Sequence, residues 1–280
     1  MASSAFVRGG FAPVRAEHTA PTPLEVRGRL PTDLTGVYVK NGPNAQFPPS
    51  SGTPYHWFDG DGMVHAVALD GANNSATYVN RWVRTERFLR DRERGDTVNS
   101  FGEMQAGNMM AVMDPRGISS ETGKILGRMH TNVVFHGGRL LALEETDKPY
   151  EMVLPTLETR GQFDFDGTLR HIMCAHPKIC PNTGEMFVFG HEIDPMQEQA
   201  VASYSVVSGK KGIITHSMDV PLRGPRFMHD MAITQNFAII FDLPSTFDFS
   251  EWQEGRSPWV HRADTETRFG IFPRHCQDPS

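Results

Sequence analysis

The chain has 280 residues, a formal net charge of −6 and 21% charged residues, enough for one large domain or two small ones. No lysine/arginine block appears, so nucleic acid is not an expected partner, and no apolar run approaches the roughly 20 residues of a membrane-spanning helix. The three cysteines, Cys174, Cys180 and Cys276, are few and odd in number, which fits a reduced intracellular compartment rather than a disulfide framework.

The N-terminal stretch "MASSAFVRGGFAPVRAEHTA" lacks the continuous apolar core of a secretory signal. Its arginines and serines leave room for a short organelle-targeting segment. Next comes "YHWFDGDGMVH", from Tyr55 to His65, in which "DGDG" is a turn signal. It lacks the third acidic ligand and central glycine of a calcium loop, and the Gly-Lys-Ser/Thr of a phosphate loop. His56 and His65 are therefore expected to be structural.

"GMVHAVALD" and "ATYVNRWVRTERF" flank the turn "GANNS" and read as an antiparallel hairpin. From residue 86 to 127 the β pattern breaks. "ERFLRDRERGD" is charged with helical character, "FGEMQAGNMMAVM" is methionine-rich, and "DPRGISSETGK" is a loop. The expectation is an excursion between β units that contributes a few core methionines. A membrane-touching flap would need a larger apolar face.

Three hairpins then resemble one another: "HTNVVFHGGRLLALEE" from His130, "HPKICPNTGEMFVFG" from His176 and "HDMAITQNFAIIFD" from His229. Each is a histidine, a short strand, a turn and an apolar strand. "VASYSVV" and "GIITHSMDV", around "SGKKG", add two strands after the second of them. A unit of a few antiparallel strands recurring every 40–50 residues or so predicts propeller blades and an all-β fold. A sandwich or two small barrels would not place a histidine at one position of each unit. In a propeller the innermost strand of each blade lines a central channel, so equivalent residues converge at one mouth of it.

Converging neutral imidazoles make a cation site suited to iron, zinc or copper. Any one histidine taken alone reads better as a satisfied core residue. The shared blade position favours His176 and His229 as metal ligands and leaves His130 open. A ligating ring donates its other N–H to a carboxylate or carbonyl. The second strand of the first hairpin ends in Glu144 and Glu145, at the histidine end of its blade; alternation turns one of them inward without saying which. Asp230 points away from His229 and is expected to cap local backbone. Cys174 and Cys180 flank His176, but C-x-H-x-x-x-C matches no common zinc pattern.

Taken together, "FAPV", "GVYVKNGPN", "YHWFDGDGMVH", "GGRLLALEETDKPY", "TLETRGQFDFDG", "AHPKICPNTGEMFVFG", "FMHDMAITQNFAIIFDLP" and "RFGIFPR" make the chain resemble the carotenoid cleavage oxygenase family. "DKPY" and the short stretch before "FAPV" look most like its plant-type members. The resemblance implies a seven-bladed propeller with one Fe(II) on its axis, held by four histidines. His176 in "AHPK" and His229 in "MHD" match the first two ligands. Glu145 matches the first of the glutamates that hold the ligand rings, and His130 falls where the family usually has asparagine in an "NT" pair.

The family's third and fourth histidines lie beyond "RFGxxPR", a motif that here ends at Arg274; His261 and His275 fall in no matching motif. The expectation is one propeller domain over residues 1–280, incomplete at its C-terminal side, with about four blades, residues 86–127 as an inter-blade excursion and two of four iron ligands. Such a segment alone is expected to fold poorly and bind iron weakly. The implied activity is a non-haem Fe(II) dioxygenase that cleaves one double bond of a carotenoid or apocarotenoid with O₂ to give two carbonyl products. The alternatives are a stilbene-cleaving dioxygenase and a non-catalytic binding propeller. The expected partners are an apolar polyene and O₂, with at most weak association with a membrane surface. The expected location is the cytosol, or a plastid as the alternative.

Overall fold

Four antiparallel sheets follow one another along the chain. They are seen in a computed structural model that describes residues 5–48, 55–99, 102, 114–121, 124–191, 200–224 and 226–277. The first sheet has the order β1-β4-β3-β2, from β1 (His18–Leu24), β2 (Thr35–Asn44), β3 (Asp61–Asp70) and β4 (Ser75–Trp82). The second runs in chain order through β5 (Asn132–His136), β6 (Arg139–Leu143), β7 (Tyr150–Val153) and β8 (Glu158–Gln162). In the third, β9 (Lys178–Ile179), β10 (Met186–Gly190), β11 (Ala200–Val207) and β12 (Ile214–Leu222) are again neighbours in sequence order. The fourth joins β13 (Met231–Ile233), β14 (Phe237–Asp242) and β17 (Arg268–Pro273); the ribbon of β15 (Ser245–Phe247) and β16 (Trp259–His261) stands between its last two strands in sequence. These are the expected blades, arranged as part of a propeller and not as a closed barrel.

Strand β6 shows how the blades pack. Its "LLAL" run looks unlike an amphipathic strand because both faces are covered. Leu140 and Ala142 join a core with Val64 and Val79 of the first sheet and Met152 of their own. Leu141 and Leu143 point the other way, into the larger core with Phe187, Phe189, Tyr204 and Ile240. Alternation thus sends successive side chains into two different inter-sheet cores.

The innermost strands are stitched by side chains. Asn41 Nδ2 donates to Met129 O and Asn132 O, at 2.8 and 2.9 Å. Asn132 Nδ2 donates in turn to Ala175 O at 2.7 Å. Lys178 Nζ then meets Asp230 Oδ1 at 2.7 Å. Each link crosses from one sheet to the next.

The strand expected through Phe88 is shorter than the sequence suggested. Strand β4 ends at Trp82, and α1 (Glu86–Arg94) begins three residues after Val83. Thr85 caps it, its hydroxyl accepting from Phe88 N at 3.0 Å, and Gly95 ends it in a left-handed conformation. The local cap prevails over the β propensity of "YVNRWVRT". A buried network then fixes α1. Arg87 donates to Asp91 and to Val98 O, while Arg128 donates to Asp61, Thr97 and Val98 O. Residues 101 and 103–113 of the methionine-rich stretch lie outside the described residues. None of the described helices is long and apolar enough to cross a membrane.

"DGDG" forms the end of a 3₁₀ turn and the start of β3. His56 caps that turn, accepting from Phe58 N at 3.1 Å, and His65 bonds the Tyr78 hydroxyl at 2.7 Å. Both histidines have structural roles there. Gly62 is required by packing, since a Cβ at this position would lie 2.1 Å from Met129 O.

Candidate metal centre

The three repeated histidines occupy equivalent places. Each lies two residues before an innermost strand: His130 before β5, His176 before β9 and His229 before β13. They therefore sit at the strand entrances and not within the strands. Backbone bonds hold these entrances in place, with Thr131 N donating to Leu143 O and Cys174 N to Phe189 O.

Two of the three converge. His176 Nε2 and His229 Nε2 are 2.8 Å apart, with ring centroids 4.4 Å apart at 68°. On the far side of the second ring, His229 Nδ1 lies 2.5 Å from Glu145 Oε1. Phe227 lies nearly parallel to the same ring, at 10° and 6.4 Å between centroids. Among the described residues, His176, His229 and Glu145 are the one group of three or more histidine, cysteine or acidic side chains whose ligand atoms lie within 4.8 Å of one another.

The donor set suits a divalent transition-metal ion. Two imidazole nitrogens bound at about 2.1 Å, at roughly a right angle, lie about 3 Å apart. The observed pair needs little movement to reach that spacing. Burial, reinforced by the neighbouring His229 ring, lowers the His176 pKa and favours its neutral, ligating form. Burial raises the Glu145 pKa, as does Glu144, against the pull of His229. A cation at the histidines would favour the charged carboxylate. Glu145 meets Nδ1 of His229 and leaves Nε2 directed at His176, the arrangement of a carboxylate that orients a ligand ring.

His130 does not join the group. Its buried ring stacks with Phe58 at 5.8 Å, and its Nε2 is 3.8 Å from Glu144 Oε1. Glu144 accepts from the backbone N–H groups of Arg128 and Met129. The two adjacent carboxylates thus divide their work, one on backbone and one on a histidine. His275 pairs with Glu185 at 3.0 Å, and His261 is the exposed last residue of β16. Asp230 caps Met231 N at 2.7 Å, as expected.

Sequence reasoning missed two features. One is the link from Asp230 to Lys178, which local patterns do not reveal because it joins different sheets. The other is His191, just past β10, which no sequence pattern singled out. With Glu145, Thr146, Cys174, Phe189, Phe227 and Met228 it lines a small cavity.

A family model described as retinal pigment epithelial membrane protein matches residues 11–280. Carotenoid 9,10(9',10')-cleavage dioxygenase 1 of Arabidopsis thaliana is 36% identical over 285 residues, covering 98% of this chain and 51% of its own length. The carotenoid cleavage oxygenase of Mycobacterium tuberculosis is 39% identical over 267 residues, covering 92% of this chain and 46% of that protein. Among solved structures, Pseudomonas brassicacearum lignostilbene dioxygenase superposes with a TM-score of 0.81 at 28% identity, over 97% of this chain and 54% of that one. A variant of Synechocystis apocarotenoid oxygenase gives 0.74 at 23% identity, over 94% and 55%, and supports the fold alone. The chain spans about half the length of the curated relatives it matches.

Proposed function

The chain belongs to the retinal pigment epithelial membrane protein family, which includes the carotenoid cleavage oxygenases, and we propose that it carries part of the iron centre of a carotenoid- or apocarotenoid-cleaving dioxygenase. The observation that carries this reading is the His176–His229–Glu145 constellation. In the reaction, one C=C bond and one O₂ are consumed and two C=O groups form.

Ferrous iron, when bound, supplies the open coordination positions and electrons that O₂ chemistry needs. His176 and His229 would hold it through their Nε2 atoms, adding no charge to the ion. Glu145 takes the Nδ1 side of His229, which fixes the ring's direction and offsets part of the ion's charge. The inter-sheet stitches hold the strand entrances that carry the two imidazoles together. Phe227, parallel to the His229 ring and 43% exposed, offers an apolar face beside the site for a polyene.

The test is to load the purified chain with Fe(II) without oxygen, then add O₂ with apocarotenoids, carotenoids or stilbenes and identify aldehydes by mass spectrometry. Apocarotenal products support the reading. Products from stilbenes alone move the substrate class. Iron binding without any product, repeated with a chain extended to its relatives' full length, supports a non-catalytic binding propeller.

A further inference from the structure

The cavity beside Glu145 has a volume of about 70 Å³. Its wall is apolar where Cys174, Phe189, Phe227 and Met228 form it. Two of its other residues carry buried polar atoms with no hydrogen-bond partner among the described residues, Thr146 Oγ1 and His191 Nε2. A third, Glu145 Oε1, is buried and makes a close contact with His229 Nδ1 that is not an aligned hydrogen bond. Few buried polar groups in folded proteins are left unpaired, so the two orphaned atoms, Thr146 Oγ1 and His191 Nε2, call for a shared partner, and the Glu145 carboxylate beside them has lone pairs left to accept.

The hydrogen-bond valences describe that partner. His191 Nδ1 lies 3.0 Å from Val201 O, and a carbonyl only accepts, so Nδ1 carries the proton. In the neutral ring Nε2 is then an acceptor. The Glu145 carboxylate also accepts, and the Thr146 hydroxyl can donate. An occupant that donates twice and accepts once satisfies all three groups, the hydroxyl proton included. Ammonium cannot accept, and dioxygen cannot donate. A metal ion would need a third close ligand, and the grouping that includes Glu145 contains His176 and His229 but not His191.

We propose that this cavity is a built-in water site. One water donates to His191 Nε2 and the Glu145 carboxylate and accepts from the Thr146 hydroxyl. The space is ample, because a water needs roughly 10–15 Å³ of cavity and takes about 30 Å³ in the liquid. Glu145 and Thr146 follow β6, and His191 follows β10, so the water joins the second sheet to the third directly behind the metal-site carboxylate. It gives that carboxylate an anchor besides His229. The inference concerns this chain's own polar groups and stands whether or not iron is the ion bound.

The experiment is a crystal structure at a resolution that shows ordered water, with a second crystal under xenon. The expected result is a density peak about 2.7–3.2 Å from Thr146 Oγ1 and His191 Nε2, no xenon in the cavity, and loss of the peak in the isosteric variant Thr146→Val. In solution, ¹⁵N imidazole shifts of His191 should report the Nδ1–H tautomer. Xenon in the wild-type cavity, a protein partner on His191 Nε2, or the opposite tautomer would overturn the proposal.

Discussion

Lys178 Nζ lies 2.7 Å from Asp230 Oδ1, tying the first residue of β9 to the residue just before β13. Lys178 is two residues from His176, and Asp230 is adjacent to His229. The pair is a staple across two blades at the place where the imidazoles meet. Its side chains are 31% and 43% exposed, so it adds only about 0–1 kcal/mol to global stability.

The staple predicts that Lys178→Met and Asp230→Asn each weaken Co²⁺ binding, by about tenfold as for other outer-shell partners. A simple field effect predicts opposite signs, since removing Lys178 takes a positive charge away from the cation. The exchanged pair Lys178→Asp/Asp230→Lys should recover most of the loss. Isothermal titration of the four proteins checks this; tighter binding by Lys178→Met would sink the idea.

Glu145→Gln keeps the volume and removes the charge. We predict a 10–100-fold loss of Co²⁺ affinity, with thermal stability unchanged or higher because a carboxylate held in its neutral-favouring, buried environment is gone. A paired metal titration and melting curve measure both. Unchanged affinity would show that Glu145 does not orient the ligand ring.

Asn132→Ala removes the donor to Ala175 O and the acceptor for Val133 N, at 2.7 and 2.8 Å. The expected cost is about 1–3 kcal/mol, that of leaving partly buried backbone groups unpaired. Urea unfolding of the variant against the parent measures it.

Gly62→Ala sets a Cβ against the Met129 carbonyl, a backbone atom that cannot rotate away. A loss of about 4 kcal/mol or more follows, at the severe end for single substitutions. Soluble protein with an unshifted melting curve would contradict this packing.

Much of the architecture was legible because its signals are local. Turn residues and β alternation marked the hairpins, and the register of His130, His176 and His229 before three inner strands follows the repeat in the sequence. The repeat could not say which rings converge. That depends on contacts from other sheets, where Phe58 and Glu144 engage His130. The division between Glu144 and Glu145 was open from alternation alone, and family resemblance pointed to Glu145. The stitches through Asn41, Asn132 and Lys178 were hidden for the same reason as the cavity around His191: each joins residues of different sheets. The helical character of "ERFLRDRERGD" was legible from its first residue, and the Thr85 cap starts α1 at Glu86 as that reading expected.

The central claim is that His176 and His229 jointly hold one divalent ion. The most direct measurement is a Co²⁺ titration of the chain beside His176→Ala and His229→Ala, with melting curves to show that all three are folded. The account predicts one ion per chain, bound at least about tenfold more weakly by each variant. Equal binding by folded variants would contradict it and leave the 2.8 Å contact as a hydrogen bond between two rings.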